Sequence, residues 1–135
     1  MSRFSFRVWD NELNQWRDSC FVSDDGFLYK IENTGARILL SGARYTVEQS
    51  TGLLDISGKE IFEGDILQIK YKHNEPFISP VMWSDQLAGY VVTPPKEKHE
   101  CMIWPYFDKR EPEYISVIEI LGNIHENPEL VGGAK

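Results

Sequence analysis

The sequence predicts a mainly β protein with a minor helical component. Three observations carry that expectation. Residues 3 to 9, Arg-Phe-Ser-Phe-Arg-Val-Trp, alternate polar and apolar side chains with the two-residue period of a strand. Short apolar segments are cut repeatedly by turn residues, at Asp24-Asp25-Gly26, Asn33-Thr34-Gly35 and Asp55-Ile56-Ser57-Gly58. The segment Ile115 to Leu121 is a near-continuous run of Ile, Val and Leu of strand length.

Taken in order, the first strand places Phe4, Phe6 and Val8 on one face and Arg3, Ser5 and Arg7 on the other. Asp10 to Asn14 breaks it with side chains that compete for backbone hydrogen bonds. Extended structure resumes from Trp16 to Val22, turns at Asp24-Asp25-Gly26, and returns through Phe27 to Ile31. Residues 51 to 65 hold Gly52, Gly58 and Gly64, too many breakers for a helix. Ile66 to Tyr71 follows as a strand with Leu67, Ile69 and Tyr71 on one face. Pro76 and Pro80 assign the next segment to a loop or an edge strand, because proline donates nothing to a sheet ladder. Val81 to Trp83 and Gly89 to Thr93 form a hairpin across Ser84-Asp85-Gln86, and Trp83 and Tyr90 are expected in the core. Pro94 to Glu100 is the most polar stretch and is expected to be a mobile loop. The run from Ile115 to Leu121 suggests burial on both faces. Asn127-Pro128-Glu129 has the N-cap, proline and acidic first-turn pattern of a short helix, stopped by Gly132-Gly133.

These elements suggest an N-terminal β-meander lobe over residues 1–50 and a small SH3-like or related barrel over 51–131, closed by a short C-terminal helical turn. The 135 residues suit a single domain, and an apolar fraction of 41% is enough for a core. The longest apolar runs, such as Ile38-Leu39-Leu40, are far below the roughly 18 residues of a membrane span. The alternating N-terminus lacks the apolar stretch of a secretion signal, so the expected compartment is the cytoplasm. Cys20 and Cys101, far apart and without C-x-x-C spacing, are expected to be reduced thiols. With 14 Lys and Arg against 21 Asp and Glu the net charge is −7, which opposes non-specific binding to a phosphate backbone.

Four constellations invite a chemical reading. His99 and Cys101 share a strand face and would supply two zinc ligands, but no spacing brings Cys20, His73 or His125 to complete the set. Glu60, Glu63 and Asp65 form an acidic cluster; the simpler reading is solvated carboxylates flanking a tight turn at Gly64. Neither cysteine lies in a nucleophile motif, and the glycine-rich phosphate loops and the G-x-S-x-G elbow are absent. No catalytic residue, metal or cofactor is therefore assigned. The richest signal is aromatic: Trp104, Tyr106 and Phe107, beside Lys109 and Arg110, make a candidate partner surface. The neighbouring Lys96 and Lys98 would also suit single-stranded nucleic acid, which the net charge disfavours.

Two stretches resemble a known family. Gly52-Leu53-Leu54-Asp55-Ile56-Ser57-Gly58-Lys59-Glu60-Ile61-Phe62-Glu63-Gly64-Asp65-Ile66 resembles the T-G-L-x-D-x-x-G-x-E-I-[YF]-E-G-D-I signature of YopX-like proteins, which are encoded by bacteriophages and prophages. Ile120 to Leu130 resembles their closing I-G-N-I-[YH]-E-N-P-E-L motif, Phe6 to Asp10 their F-R-x-W-D opening, and Val81 with Trp83 their V-x-W pair. Ser50 departs from the aromatic that the family usually carries before T-G-L. The resemblance implies a single β-rich domain with an SH3-like barrel and a mobile-element origin; it carries no activity or catalytic residues. The expected role is a non-enzymatic accessory protein of the bacterial cytoplasm that binds a protein partner, through residues 104–107 and an edge strand around Phe77 to Trp83, or a second copy of itself. The alternatives are a nucleic-acid-binding β module and, further off, a metal-dependent enzyme.

Overall fold

In the computed structural model, which describes residues 5–71, 74–95, 99–107 and 116–132, thirteen strands form four antiparallel sheets. In chain order they are β1 (Phe6–Asp10), β2 (Gln15–Arg17), β3 (Cys20–Val22), β4 (Leu28–Ile31), β5 (Arg37–Leu39), β6 (Tyr45–Leu54), β7 (Glu60–Phe62), β8 (Asp65–Tyr71), β9 (Phe77–Pro80), β10 (Met82–Ser84), β11 (Gly89–Val92), β12 (Cys101–Met102) and β13 (Ser116–Asn123). Two short 3₁₀ turns, Trp104–Phe107 and Pro128–Val131, complete the described elements. Among the described residues no helix is long and apolar enough to cross a membrane.

The strands expected of an N-terminal meander are present, and the structure divides them between two sheets. β1 and β2 form a hairpin whose register pairs Trp9 with Trp16. The chain then leaves that sheet at Ser19, whose φ of 61° breaks the extended run expected from Trp16 to Val22. β3, β4 and β5 make a separate sheet, turned at Gly26 and Gly35, which both have φ 84°. Only then does the chain return, and β6 pairs antiparallel with β1 to give the order β2-β1-β6-β7.

β6 spans the two halves of the molecule. Its first part pairs with β1 and its last part with β7, across a bulge between Ser50 and Leu54. Side-chain hydroxyls satisfy the irregular backbone there: Ser50 Oγ accepts from Gly52 N–H at 3.1 Å, and Thr51 Oγ1 donates to the Ile61 carbonyl at 2.7 Å. Asp55 then ends β6 with a turn it builds itself. Its Oδ1 accepts from Ser57 N–H, Ser57 Oγ and Lys59 N–H, and its Oδ2 accepts from Ile120 N–H on β13. The Asp-x-Ser-Gly turn is thus also a tie between β6 and the last long strand.

The core gathers in the second half. Ile61, Leu67, Ile69, Val81, Val92, Ile103 and Ile118 form one buried cluster, with Tyr71, Phe77, Tyr90 and Tyr106 packed against it. β8 is central in the order β13-β8-β9, which explains why Asp65, Ile66 and Leu67 are all buried before the strand settles into alternation at Ile69 and Lys70. β13 differs from expectation. Val117 and Glu119 face out and Ile118 faces in, so its Ile/Val run covers one face only, and a bulge between Ile120 and Gly122 re-aims its end.

Two further expectations are corrected and one is extended. Trp83 is 47% exposed; its ring sits edge-on to Tyr90 on the outside of the β10–β11 hairpin, and its indole N–H donates to Asp85. Asn127 makes no side-chain cap, and the turn it precedes is 3₁₀; its Oδ1 instead accepts from Asn123 N–H, beneath Gly122. Gly64, with φ 89°, does more than turn the chain, because a Cβ there would land inside the Glu48 carboxylate. The stretch Pro94 to Glu100 expected to form a loop falls partly outside the described residues.

Gly58 separates the two demands at Gly64, since it has φ 86° but open space where a Cβ would go. Gly58→Ala is expected to lose about 1–2 kcal/mol to backbone strain alone. Gly64→Ala must also displace a buried carboxylate, and is expected to lose about 1–3 kcal/mol more. Urea denaturation of both variants checks this: equal midpoints would show that the approach of Glu48 to Gly64 carries no weight.

Candidate functional site

β1 sends Arg7 and Trp9 to one face, and the fold brings four chain segments to meet them. The Arg7 guanidinium bonds Glu48 Oε1 on β6 at 2.9 Å, Asp65 Oδ1 on β8 at 2.8 Å and the Glu63 carbonyl at 3.2 Å. Glu48 and Asp65 are almost fully buried, so their charges require this cation. From the C-terminal turn, His125 Nε2 lies 3.0 Å from Glu48 Oε2, and its ring stacks on Trp9 at 4.9 Å. The aromatic setting is close: the Arg7 guanidinium lies 4.5 Å from the Trp16 ring centroid and 4.9 Å from that of Phe62. Trp16 Nε1 donates to Glu126, which also accepts from Asn123 Nδ2. A shallow cleft of about 440 Å³ opens beside this cluster, lined among others by Arg7, Trp16, Lys59, Phe62, Asn123 and Glu126.

The electrostatics follow from burial and partners. Burial pushes the Asp65 carboxyl above its ordinary value, opposed by the Phe62 N–H and by Arg7. Glu63 is likewise raised by burial and by the nearby Glu48 charge. Glu126 is lowered by its hydrogen bonds from Asn123 and Trp16. At the other end of β1, the fully buried Asp10 accepts a two-pronged pair from Arg44 Nε and Nη2 at 3.1 and 3.0 Å, plus the N–H groups of Glu12 and Leu13. The Arg44 hydrogen bonds hold its carboxyl at about 2, against burial acting the other way.

The acidic trio Glu60, Glu63 and Asp65 is therefore not a set of solvated turn carboxylates. Asp65 is 3% exposed and paired, Glu63 contributes its carbonyl to Arg7, and Glu60 stands half-buried on β7. Among the described residues no three of His, Cys, Asp and Glu gather as metal ligands. His99 is exposed, Cys101 is half-buried on β12, His125 is held by Glu48, and His73 lies outside the described residues. Cys20 and Cys101 are not joined by a disulfide, and burial raises the Cys20 thiol, the opposite of nucleophile activation.

The aromatic surface is divided by the structure. Trp104 is 54% exposed, whereas Tyr106 and Phe107 turn inward against the core. Lys109 and Arg110 lie outside the described residues. Tyr106 meets the start of the edge strand: its ring is edge-on to Tyr71 at 5.1 Å and to Phe77 at 6.1 Å. With Pro76, Pro94 and Cys101 these rings line a groove of about 460 Å³, and Glu75 is the one charged residue described in its lining. Two parts of the expected surface, Tyr106 and Phe77, thus converge, while Trp104 and Trp83 stand apart from that groove. The sequence reading did not bring Arg7, Glu48 and His125 together; it weighed His125 only as a further zinc ligand. Of these only Arg7 carries a signal, a charged residue sharing a strand face with Trp9 in Phe6-Arg7-Val8-Trp9-Asp10; nothing next to Glu48 or His125 in the sequence points to the cluster.

Asp10 sets an acid limb. Its folded value of about 2 lies below the ordinary 3.8, so the stability it contributes is complete above pH 4 and is lost as the pH falls through about 2. Arg44→Met is expected to melt at a lower temperature than the parent at pH 7, with the difference shrinking between pH 4 and pH 2. A difference independent of pH over that range would show that Asp10 is not held by Arg44.

The family model described as YopX protein matches residues 5–132. Protein EF1440 from Enterococcus faecalis has a solved structure that superposes with a TM-score of 0.59 at 24% identity, covering 93% of this chain and 96% of that one. Protein yopX from Bacillus subtilis superposes with a TM-score of 0.60 at 19% identity, covering 96% and 98%. No curated protein is significantly similar in sequence. At these identities the two structures share the fold, and the family match spans nearly the whole chain, from the strand that carries Arg7 to the turn that carries His125: the chain belongs to the YopX family.

Proposed function

We propose that this chain is a non-enzymatic binding module, a phage or prophage accessory protein of the bacterial cytoplasm, whose partner is a protein. The observation that carries this reading is the groove where Tyr71, Phe77 and Tyr106 meet beside β9. Its volume of about 460 Å³ falls within the range of small ligand sites, and aromatic rings and prolines make up most of its walls. β9 is the edge of its sheet, so an extended segment of a partner can lie along the apolar trough beside it, held more by side-chain packing than by a ladder, since Pro76 and Pro80 have no N–H to give. Glu75 at the rim favours a peptide with a basic residue next to its apolar anchor. The curled sheet of β8, β9 and β13, which we read as part of an SH3-like barrel, supports the groove from beneath.

Two further points support a protein over other ligands. The described lining of the groove contains no Lys or Arg, and the chain carries −7, both unfavourable to a phosphate backbone. The buried ionisable groups are engaged with one another, Glu48 and Asp65 with Arg7 and Asp10 with Arg44, in the manner of a structural network.

The test is affinity capture from bacterial lysate, with and without nuclease, by the parent chain and by Tyr106→Ala and Glu75→Lys. The expected result is a protein held in both halves, lost with Tyr106→Ala and weakened with Glu75→Lys, a residue exposed enough to leave the fold intact. A partner that both variants retain would overturn the groove. Material recovered only from the untreated half would favour the nucleic-acid reading instead.

A further inference from the structure

The hydrogen-bonding groups along β9 restrict what can occupy the groove beside it. Val81 N–H donates to the Asp65 carbonyl at 2.8 Å, so Phe77 and Ser79, paired with Ile69 and Leu67, turn their N–H groups the same way, into the sheet. Pro76, Ile78 and Pro80 are then the positions whose backbone faces outward. Of these only Ile78 has an N–H, and the Pro80 carbonyl already accepts from Ser79 Oγ at 3.0 Å. A strand laid against this edge finds one donor between two prolines, which breaks any ladder. The groove walls offer a different kind of contact. The Tyr106 ring meets both Tyr71 and Phe77, at 82° and 65°, so the aromatic wall is corrugated rather than flat. Pro94 is buried in the lining, and Pro76 and Pro95 are exposed in it.

Taking this groove as the binding site, as proposed above, we infer that its occupant is a proline-rich segment in the polyproline II conformation, with a Lys or Arg beside its prolines. Such a segment makes no internal hydrogen bonds and adds to no sheet, so the missing donors at Pro76 and Pro80 cost it nothing. Its side chains recur on one edge every third residue, about 9 Å apart, and its rigid prolyl rings pack into the angles between aromatic side chains. The segment is extended before it binds, so little conformational entropy is lost, and a groove of modest size suffices. At its prolines the backbone presents carbonyls and no N–H. Asn74, exposed in the lining, carries an amide that donates to carbonyls of this kind. Glu75 fixes the charge of the occupant. It is exposed, it is the one charged residue described in the lining, and it belongs to a chain of net charge −7, so a cation beside the prolines is attracted and a carboxylate is repelled.

Fluorescence anisotropy with a labelled oligoproline peptide ending in arginine tests this on the full chain. The peptide is expected to bind in the micromolar range. Alanine in place of its prolines is expected to weaken binding at least ten-fold, and glutamate in place of its arginine by about five-fold or more. Tyr106→Ala is expected to abolish binding. Because Tyr106 also packs on the core, the exposed Glu75→Lys keeps the test independent of folding, and it is expected to reverse the preference so that the glutamate peptide binds better. Equal binding of the alanine peptide, or a preference for arginine that Glu75→Lys leaves unchanged, would overturn the inference. So would an oligoproline peptide that fails to bind at millimolar concentration while a partner captured from lysate is still lost with Tyr106→Ala, a result that leaves the groove standing with a different occupant. A captured partner retained by both variants removes the groove and this occupant together.

Discussion

The guanidinium of Arg7 is the constraint around which this fold is arranged. It stands on the first strand yet bonds carboxylates on β6 and β8 and a carbonyl in the turn between β7 and β8. Two buried anions at one point are unfavourable without a cation between them, and no other described Lys or Arg bonds either of them. The separation in sequence, 41 residues from Arg7 to Glu48, means that the pair forms only when β1 has been placed against β6. The ion pair and the sheet order β2-β1-β6-β7 are thus one requirement seen twice.

The C-terminal turn is drawn into the same point. Asn123 fixes it, accepting the N–H groups of His125 and Glu126 on its own Oδ1. That places the His125 ring on Trp9 and its Nε2 at Glu48, and puts Glu126 within reach of Trp16. Gly122 leaves room for Asn127 and Gly64 leaves room for Glu48, so both glycines serve a side chain that must come close. The long family-like stretches at 52–66 and 120–130 are accounted for in this way. Asp55 ties the end of β6 to β13, Asp65 ties β8 to Arg7 on β1, and His125 ties the C-terminal turn to Glu48 on β6 and Trp9 on β1. The Tyr106 groove and the β3–β5 sheet lie outside that network.

Much of the fold is legible in the sequence because short-range chemistry decides it. Strand alternation, Gly26, Gly35 and the Asp55 turn act over a few residues, and each is where local reasoning places it. The edge position of β9 follows from its flanking prolines in the same way. What escapes is long-range. Nothing near Glu48 says that Arg7 will cover it, and nothing near Asp65 says that its turn will be buried rather than wet. The misplacement of Trp83 has the same origin, since the β10–β11 hairpin turns Val91 and Val92 inward and leaves the indole outside. At Asn127 the pattern of a helix start is genuine, but the side chain that would cap the turn is taken by Asn123 N–H.

The central claim is that Arg7 and Glu48 act as a unit, and a double-mutant cycle measures it. Arg7→Met leaves Glu48 and Asp65 buried without their cation, which is expected to lose about 3–5 kcal/mol in urea denaturation. Glu48→Met removes one of those anions, so the double variant is expected to be no less stable than Arg7→Met, a coupling of at least about 2 kcal/mol. Losses that add to within about 0.5 kcal/mol would contradict the account, because they would show that the two residues stabilise the fold independently.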